Sequence, residues 1–186
     1  MAVEGIILAG GQSRRFGTDK ALAQYQGKKM IEASVQVLRG LGIPVTVIAP
    51  RERDYSFLNC RIAPDLIAGL GPLGGIHTAF SLYPKADLLV LTCDMPRLTE
   101  CGLKPLIEAY AFDDAKELII WRHPDGSRQP FPGLYGVNLA DRVFRALTRG
   151  DLSMKQFLAD TPALKELMIQ ASSEFININH SSDLSL

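Results

Sequence analysis

The chain has 186 residues, with 20 basic and 20 acidic side chains and no formal net charge at neutral pH. That balance excludes a general polyanion binder, and a chain of this length builds one α/β domain that buries roughly 70% of the surface its unfolded form exposes. No apolar run reaches bilayer length, the first residues lack a basic leader, and Cys60, Cys93 and Cys101 contain no C-x-x-C pair, so a cytoplasmic protein without a disulfide framework, membrane anchor or nucleic-acid partner is expected.

Val3 to Leu8 reads as a buried strand that runs into Leu8-Ala9-Gly10-Gly11, and the loop up to Lys20 adds Arg14, Arg15 and Gly17. Gly10 and Gly11 lack the Cβ that would keep backbone N-H groups away from phosphate oxygens. The spacing matches neither the P-loop nor G-x-G-x-x-G. A glycine pair after a strand can also be a plain tight turn, but three cations with only Asp19 near them in sequence repel one another unless an anion lies among them, and an anion is the expectation here. Ala21 to Tyr25 and a Gln26-Gly27 turn lead to a helix from about Met30 to Leu41, with Ile31, Val35 and Leu38 on its buried face. Val45 to Ala49 is the next buried strand. Arg51 to Asn59 has no period and reads as loop or short helix, and Arg61 to Ala63 is a brief strand that delivers the chain to Pro64-Asp65.

Gly69-Leu70-Gly71-Pro72-Leu73-Gly74-Gly75 opens a helix carrying Ile76, Ala79, Phe80 and Tyr83. Gly74 and Gly75 let either a ligand or the sheet approach the backbone, and the residues leave both readings open. Leu88 to Leu91, continuously apolar, is the central parallel strand, covered on both faces. It ends at Asp94, where open α/β sheets bind ligands. Asp94 has no adjacent cation in sequence, so a Mg²⁺ carried by nucleotide phosphates is preferred to a helix-capping role. Thr99 is the better cap for the helix Glu100 to Ala111. Glu117 to Trp121 is a strand, Pro124-Asp125-Gly126-Ser127 a turn, and Arg128 to Phe131 and Leu134 to Val137 two return strands. That excursion sets Arg122, His123 and Arg128 beside a pocket, with Arg122 and His123 solvated. Helices are expected from Asn138 to Thr148 and from Ser153 to Asp160, then strands at Leu167 to Ala171 and Phe175 to Ile178. Asn177 and Asn179 fall on one side of the last segment. His77, His123 and His180 share no metal-ligand spacing.

Taken together, Leu-Ala-Gly-Gly-x-Ser-x-Arg-x-Gly-x-Asp-Lys-Ala, Gly-Pro-Leu-Gly-Gly, Thr-Cys-Asp-Met-Pro, Arg-Gln-Pro before a strand and the late Asn-Ile-Asn resemble the molybdenum cofactor guanylyltransferase family, MobA. The resemblance runs from Ala2 to about Leu184. It implies a single-domain, Rossmann-like nucleotidyltransferase fold of the α/β class, with a mostly parallel central sheet and helices on both faces. It further implies that Leu8, Ala9, Gly10 and Gly11 take the base and phosphates of GTP, that Arg15 and Lys20 hold the triphosphate, and that Asp65 lies near the nucleoside. Asp94 binds Mg²⁺ in this scheme, and Asn177, Asn179 and the Arg128-Gln129-Pro130 region look toward molybdopterin. Other cofactor-synthesis proteins or molybdoenzyme chaperones are possible partners. Phe16 stands in place of the family's usual methionine, and the tail after Asp183 is shorter than customary. The implied reaction is attack by the terminal phosphate of molybdopterin on the α-phosphorus of GTP. A cytidylyltransferase on the same pterin usually carries Leu-Ala-Ala-Gly at the first turn, so Leu8-Ala9-Gly10-Gly11 favours GTP. Sugar-phosphate nucleotidyl transfer, or a nucleotide-binding regulator without turnover, are the remaining alternatives.

Overall fold

The computed structural model of the chain describes residues 2–11, 19–112, 117–170 and 173–185. Their strands are β1 (Val3–Leu8), β2 (Gln24–Tyr25), β3 (Lys28–Lys29), β4 (Val45–Ile48), β5 (Arg61–Ala63), β6 (Asp87–Thr92), β7 (Leu118–Arg122), β8 (Arg128–Tyr135) and β9 (Leu164–Met168). Their α-helices are α1 (Met30–Gly40), α2 (Gly71–Leu82), α3 (Glu100–Ala111), α4 (Ala140–Arg149) and α5 (Met154–Ala159). Seven strands make one sheet in the order β5-β4-β1-β6-β8-β7-β9, and β8 alone runs against its neighbours. The order reverses at β1: the chain moves outward through β4 and β5, then returns across β1 to β6. Right-handed crossovers in opposite directions put their helices on opposite faces. The helices of the two opposite crossovers, α1 (β1 to β4) and α2 (β5 to β6), accordingly lie on opposite faces, and α3 packs beside α1 and α4 beside α2. The mostly parallel α/β sheet with two helical layers is the architecture that the sequence predicts.

Leu88, Leu89, Val90 and Leu91 are fully buried, which is why this central strand shows no polar alternation. Ile31, Val35 and Leu38 are buried on α1 as its spacing requires. Gln26 and Gly27 both have positive φ, the geometry of a two-residue hairpin turn, and join β2 to β3. Thr99 caps α3 by accepting from the Gly102 N-H, and Ser153 caps α5 by accepting from the Gln156 N-H.

Four sequence expectations are corrected. Helix α2 begins at Gly71, so Gly74 and Gly75 lie inside its opening turns, and Pro72, which has no N-H to lose there, starts it. The two expected return strands are one, β8; its ladder pairs fall at Arg128, Gln129 and Gly133 to Tyr135, and Pro130 and Pro132 sit between them where the register with β7 shifts. The late strand is Leu164–Met168, three residues before its expected start, because Glu166 accepts hydrogen bonds from Arg122 and Arg128 across the edge and a polar face is thereby built into the sheet. Phe175 to Ile178 is not a strand. Its apparent alternation comes from two separate anchors, with Phe175 against Trp121 at 4.7 Å between ring centroids and Ile178 packed with Tyr25 and Met30.

Candidate active site

The carboxyl ends of the four parallel strands β5, β4, β1 and β6 open onto one cavity of about 940 Å³. Strand β1 delivers Leu8, Ala9, Gly10 and Gly11 to it, β4 leads to Arg53, β5 to Asp65, and β6 to Thr92, Cys93 and Asp94. This is the switch point of strand order, where the crossovers through α1 and α2 run over opposite faces of the sheet and leave a crevice.

Lys20 and Asp94, 74 positions apart, meet across that crevice. The Lys20 ammonium lies 3.5 Å from Asp94 Oδ2 and donates at 3.1 Å to Asn179 Oδ1. Asp94 Oδ1 accepts from the Thr92 hydroxyl. The cation that the sequence does not place beside Asp94 is therefore supplied by the fold. Asn179 reaches the site because the Ile178 N-H donates to the Asp94 carbonyl at 2.8 Å, which clamps the late segment onto the end of β6. Asp183 Oδ2 accepts from the Asn179 and His180 N-H groups, and these bonds hold its carboxyl below the ordinary range.

Asp65 stands between two glycines. A Cβ on Gly10 would come within 3.2 Å of Asp65 Oδ2, and one on Gly75 would meet Leu8 Cδ2 at 2.7 Å and Asp65 Oδ1 at 3.6 Å. Asp65 Oδ1 is buried without a hydrogen-bond partner, and burial raises its carboxyl pKa. An acceptor left unpaired in a cavity wall is suited to a ligand N-H or O-H. Cys93, beside Asp94, is pushed up to about 12 by burial and then by that carboxylate, so it is a neutral thiol and not a nucleophile at pH 7.

Of the sequence-predicted site residues, Leu8, Ala9, Gly10, Gly11, Lys20, Asp65, Gly75, Asp94 and Asn179 line this cavity. Gly74 is buried against Leu70 and serves the packing of α2. Gln129 is buried beside the site without lining it: it pairs with His123 Nε2 at 2.6 Å and donates to the Met95 sulfur at 3.1 Å. His123 is thus engaged by Gln129 and not simply solvated. Asn177 is exposed and does not line the cavity. Arg15, with Arg14 and Phe16, lies outside the described residues. None of the three histidines lines the cavity, and no Ser-His or Cys-His pair lies there.

Sequence reasoning missed Arg53 and Tyr55. Arg53 donates to the Ala9 and Gly11 carbonyls and to Asp19, and the Tyr55 hydroxyl donates to the other Asp19 oxygen at 2.7 Å. Asp19 is therefore the counter-ion of Arg53. The available signal was an arginine and a tyrosine at alternate positions after a strand end, which is too common to single out.

The site fits a divalent ion only in company. Among the described residues no group of three or more His, Cys, Asp or Glu side chains could hold a metal. One carboxylate beside an ammonium is a weak cation site by itself, but it suits Mg²⁺ that arrives already bound to phosphate oxygens.

Residues 5–167 match the MobA-like NTP transferase domain. A probable molybdenum cofactor guanylyltransferase from Bacillus cytotoxicus is 32% identical over 163 residues, covering 85% of this chain and 80% of that protein. One of the same name from Opitutus terrae is 32% identical over 183 residues, covering 93% and 86%. Among solved structures, the molybdopterin-guanine dinucleotide biosynthesis protein A of Archaeoglobus fulgidus has a TM-score of 0.78 at 24% identity over 98% of this chain and 95% of its own. CMP:2-keto-3-deoxy-manno-octonic acid synthetase, complexed with CTP, has a TM-score of 0.79 at 14% identity over 100% and 96%. The two structures share the fold, and the domain match with its two relatives spans most of the sequence: the chain belongs to the MobA-like NTP transferase family.

Proposed function

We propose that this protein transfers GMP from GTP to the terminal phosphate of molybdopterin, releasing pyrophosphate and forming the guanine dinucleotide. The observation that carries the reading is the meeting of Lys20 and Asp94, 3.5 Å apart, at a cavity whose other wall is the Leu8 to Gly11 turn. A cation and a carboxylate facing a glycine turn suit a triphosphate with its divalent ion, and the acceptor is the one that the relatives' names carry.

An oxygen of the acceptor phosphate attacks the α-phosphorus, and the bond from that phosphorus to the bridging oxygen of pyrophosphate breaks. The acceptor is a monoester with a second pKa of about 6 and is mostly dianionic at neutral pH. It needs no strong base, which accords with a cavity that has no histidine and a neutral Cys93. Lys20, and Arg15 from the same loop, neutralise charge that builds on the departing pyrophosphate. Gly10 and Gly11 admit phosphate oxygens to backbone N-H groups, and Asp65 accepts from the nucleoside. Asp94 is the residue to hold Mg²⁺, which when bound screens charge on the phosphate oxygens. Asn179 keeps the Lys20 ammonium at the cavity while the acceptor enters from the side of the late segment. The work of catalysis is positioning and charge neutralisation. The compartment assigned is the cytoplasm.

Pyrophosphate release is the test, with purified protein, Mg²⁺ and molybdopterin. Release with GTP that exceeds release with CTP supports the reading. Release with CTP alone, or with a sugar 1-phosphate in place of the pterin, overturns the substrate assignment. Failure to bind any nucleoside triphosphate overturns the reaction class.

A further inference from the structure

Arg53 touches both ends of the loop that leaves β1. Its Nη1 donates to the Ala9 carbonyl at 2.9 Å and to Asp19 Oδ1 at 3.2 Å, and its Nη2 donates to the Gly11 carbonyl at 3.1 Å. Ala9 and Gly11 stand where the loop begins, and Asp19 stands immediately before Lys20. The Arg53 side chain is 22% exposed and that of its partner Asp19 16%. Asp19 is held from two further sides, by the Ala21 N-H at 3.1 Å and by the Tyr55 hydroxyl at 2.7 Å, and Tyr55 itself is 1% exposed.

Two consequences follow from this wiring. In a trans peptide the N-H after a carbonyl points away from it, so a guanidinium that takes the Ala9 carbonyl turns the Gly10 N-H to the opposite side. Carbonyl oxygens that would repel a phosphate are occupied, and the turn is left with donors to offer. At the far end, Asp19 has its oxygens engaged by Arg53, Tyr55 and the Ala21 N-H, which ties down the backbone on both sides of Lys20 while its ammonium lies 3.5 Å from Asp94.

We infer that Arg53 is a positioning residue for the nucleotide, a staple reaching over from the end of β4 that fixes the glycine turn at one end of the loop and Lys20 at the other, with Tyr55 as its brace. This rests on the assignment of the cavity to a nucleoside triphosphate. The planar fork of the guanidinium matters as much as its charge, because the Ala9 and Gly11 carbonyls are met by two separate nitrogens, Nη1 and Nη2, and an ammonium offers only one.

The test compares Arg53→Met, Arg53→Lys and Tyr55→Phe with the unaltered protein in Mg²⁺-GTP and Mg²⁺-CTP binding by calorimetry, in steady-state KM for each substrate, in thermal melting and in amide exchange at Ala21. Arg53→Met is expected to weaken GTP binding by about ten-fold or more, with the acceptor KM within about two-fold and faster exchange at Ala21. Arg53→Lys falls between, and Tyr55→Phe weakens GTP binding by roughly two- to five-fold because one of the bonds to Asp19 is lost. GTP affinity of Arg53→Met within two-fold of the unaltered protein overturns the inference, as does an equal rise in both KM values. Should Arg53→Met fail to fold, a folded Arg53→Lys decides: unchanged GTP affinity overturns the staple, and weakened affinity with an unchanged acceptor KM supports it. Unaltered protein that binds neither GTP nor CTP overturns the proposed reaction itself, whereas binding that Arg53→Met leaves intact overturns the staple alone.

Discussion

Replacing Lys20 with methionine removes one positive charge and keeps most of the side-chain volume. In the free protein the ammonium and the Asp94 carboxylate, 15% and 25% exposed, lie 3.5 Å apart. At an effective dielectric constant of about 20 their gross attraction is about 5 kcal/mol. Desolvation of both groups and ordering of the lysine side chain offset most of it, leaving a net contribution of about 1 kcal/mol. The melting temperature should therefore fall by about 2–4 °C. Turnover should fall much further. A charge-stabilising donor at the leaving group contributes about 3 kcal/mol or more to the transition state, so kcat in the pyrophosphate-release assay should drop on the order of 100-fold or more. Combining Lys20→Met with Asp94→Asn separates the two roles. Removing both charges leaves no unpaired carboxylate, so stability should return toward that of the unaltered protein while turnover stays lost. Turnover by Lys20→Met within ten-fold of the unaltered protein, or recovery of turnover along with stability in the double variant, would refute the catalytic assignment and leave Lys20 as the counter-ion of Asp94.

Two further substitutions probe the cavity and the sheet. Burial raises the Asp65 pKa above its ordinary value of 3.8, so the stability that a neutral group brings is present in full below 3.8 and is lost as pH rises through the higher folded-state value. Asp65→Asn should thus raise the melting temperature at pH 7 to 8, a gain that shrinks toward zero below pH 3.8, while GTP binding weakens; a melting temperature lowered at pH 7 contradicts this account. Gly133 lies in β8 where an added Cβ would stand 2.4 Å from the Pro130 carbonyl oxygen and 2.9 Å from Tyr135 Cε2. Because the first obstacle is backbone, Gly133→Ala should cost about 2–3 kcal/mol and lower the melting temperature by roughly 5–10 °C, and an unchanged melt would show that the strand shifts at little cost.

Much of the molecule was legible before folding. The unbroken apolar run of Leu88 to Leu91, the strand from Val3 into two glycines, the caps at Thr99 and Ser153 and the period of α1 are local properties, decided within a few residues by burial, backbone freedom and hydrogen-bonding side chains. Asp94 stood out because it follows the central strand, where open α/β sheets bind ligands, and Lys20 because it shares a short glycine-containing loop with two arginines, whereas Asp65 was marked only by the resemblance to the family. The pattern failed where partners come from a distance: the polar Lys165-Glu166 pair sits in a strand because Arg122 and Arg128 meet it, and Ile178 is buried without any ladder at all.

By itself the sequence determined the sheet's central strands, the helices that cover them and the chemical character of the first loop, since propensity and hydrophobic period act over short distances. Only the tertiary structure decided that Lys20 answers Asp94, that Asp19 is spent on Arg53 and Tyr55, and that Asn179 closes the far side, because each of these pairings joins residues between 34 and 159 positions apart. Coulomb attraction and hydrogen bonding depend on separation in space, and sheet order, not distance along the chain, sets that separation.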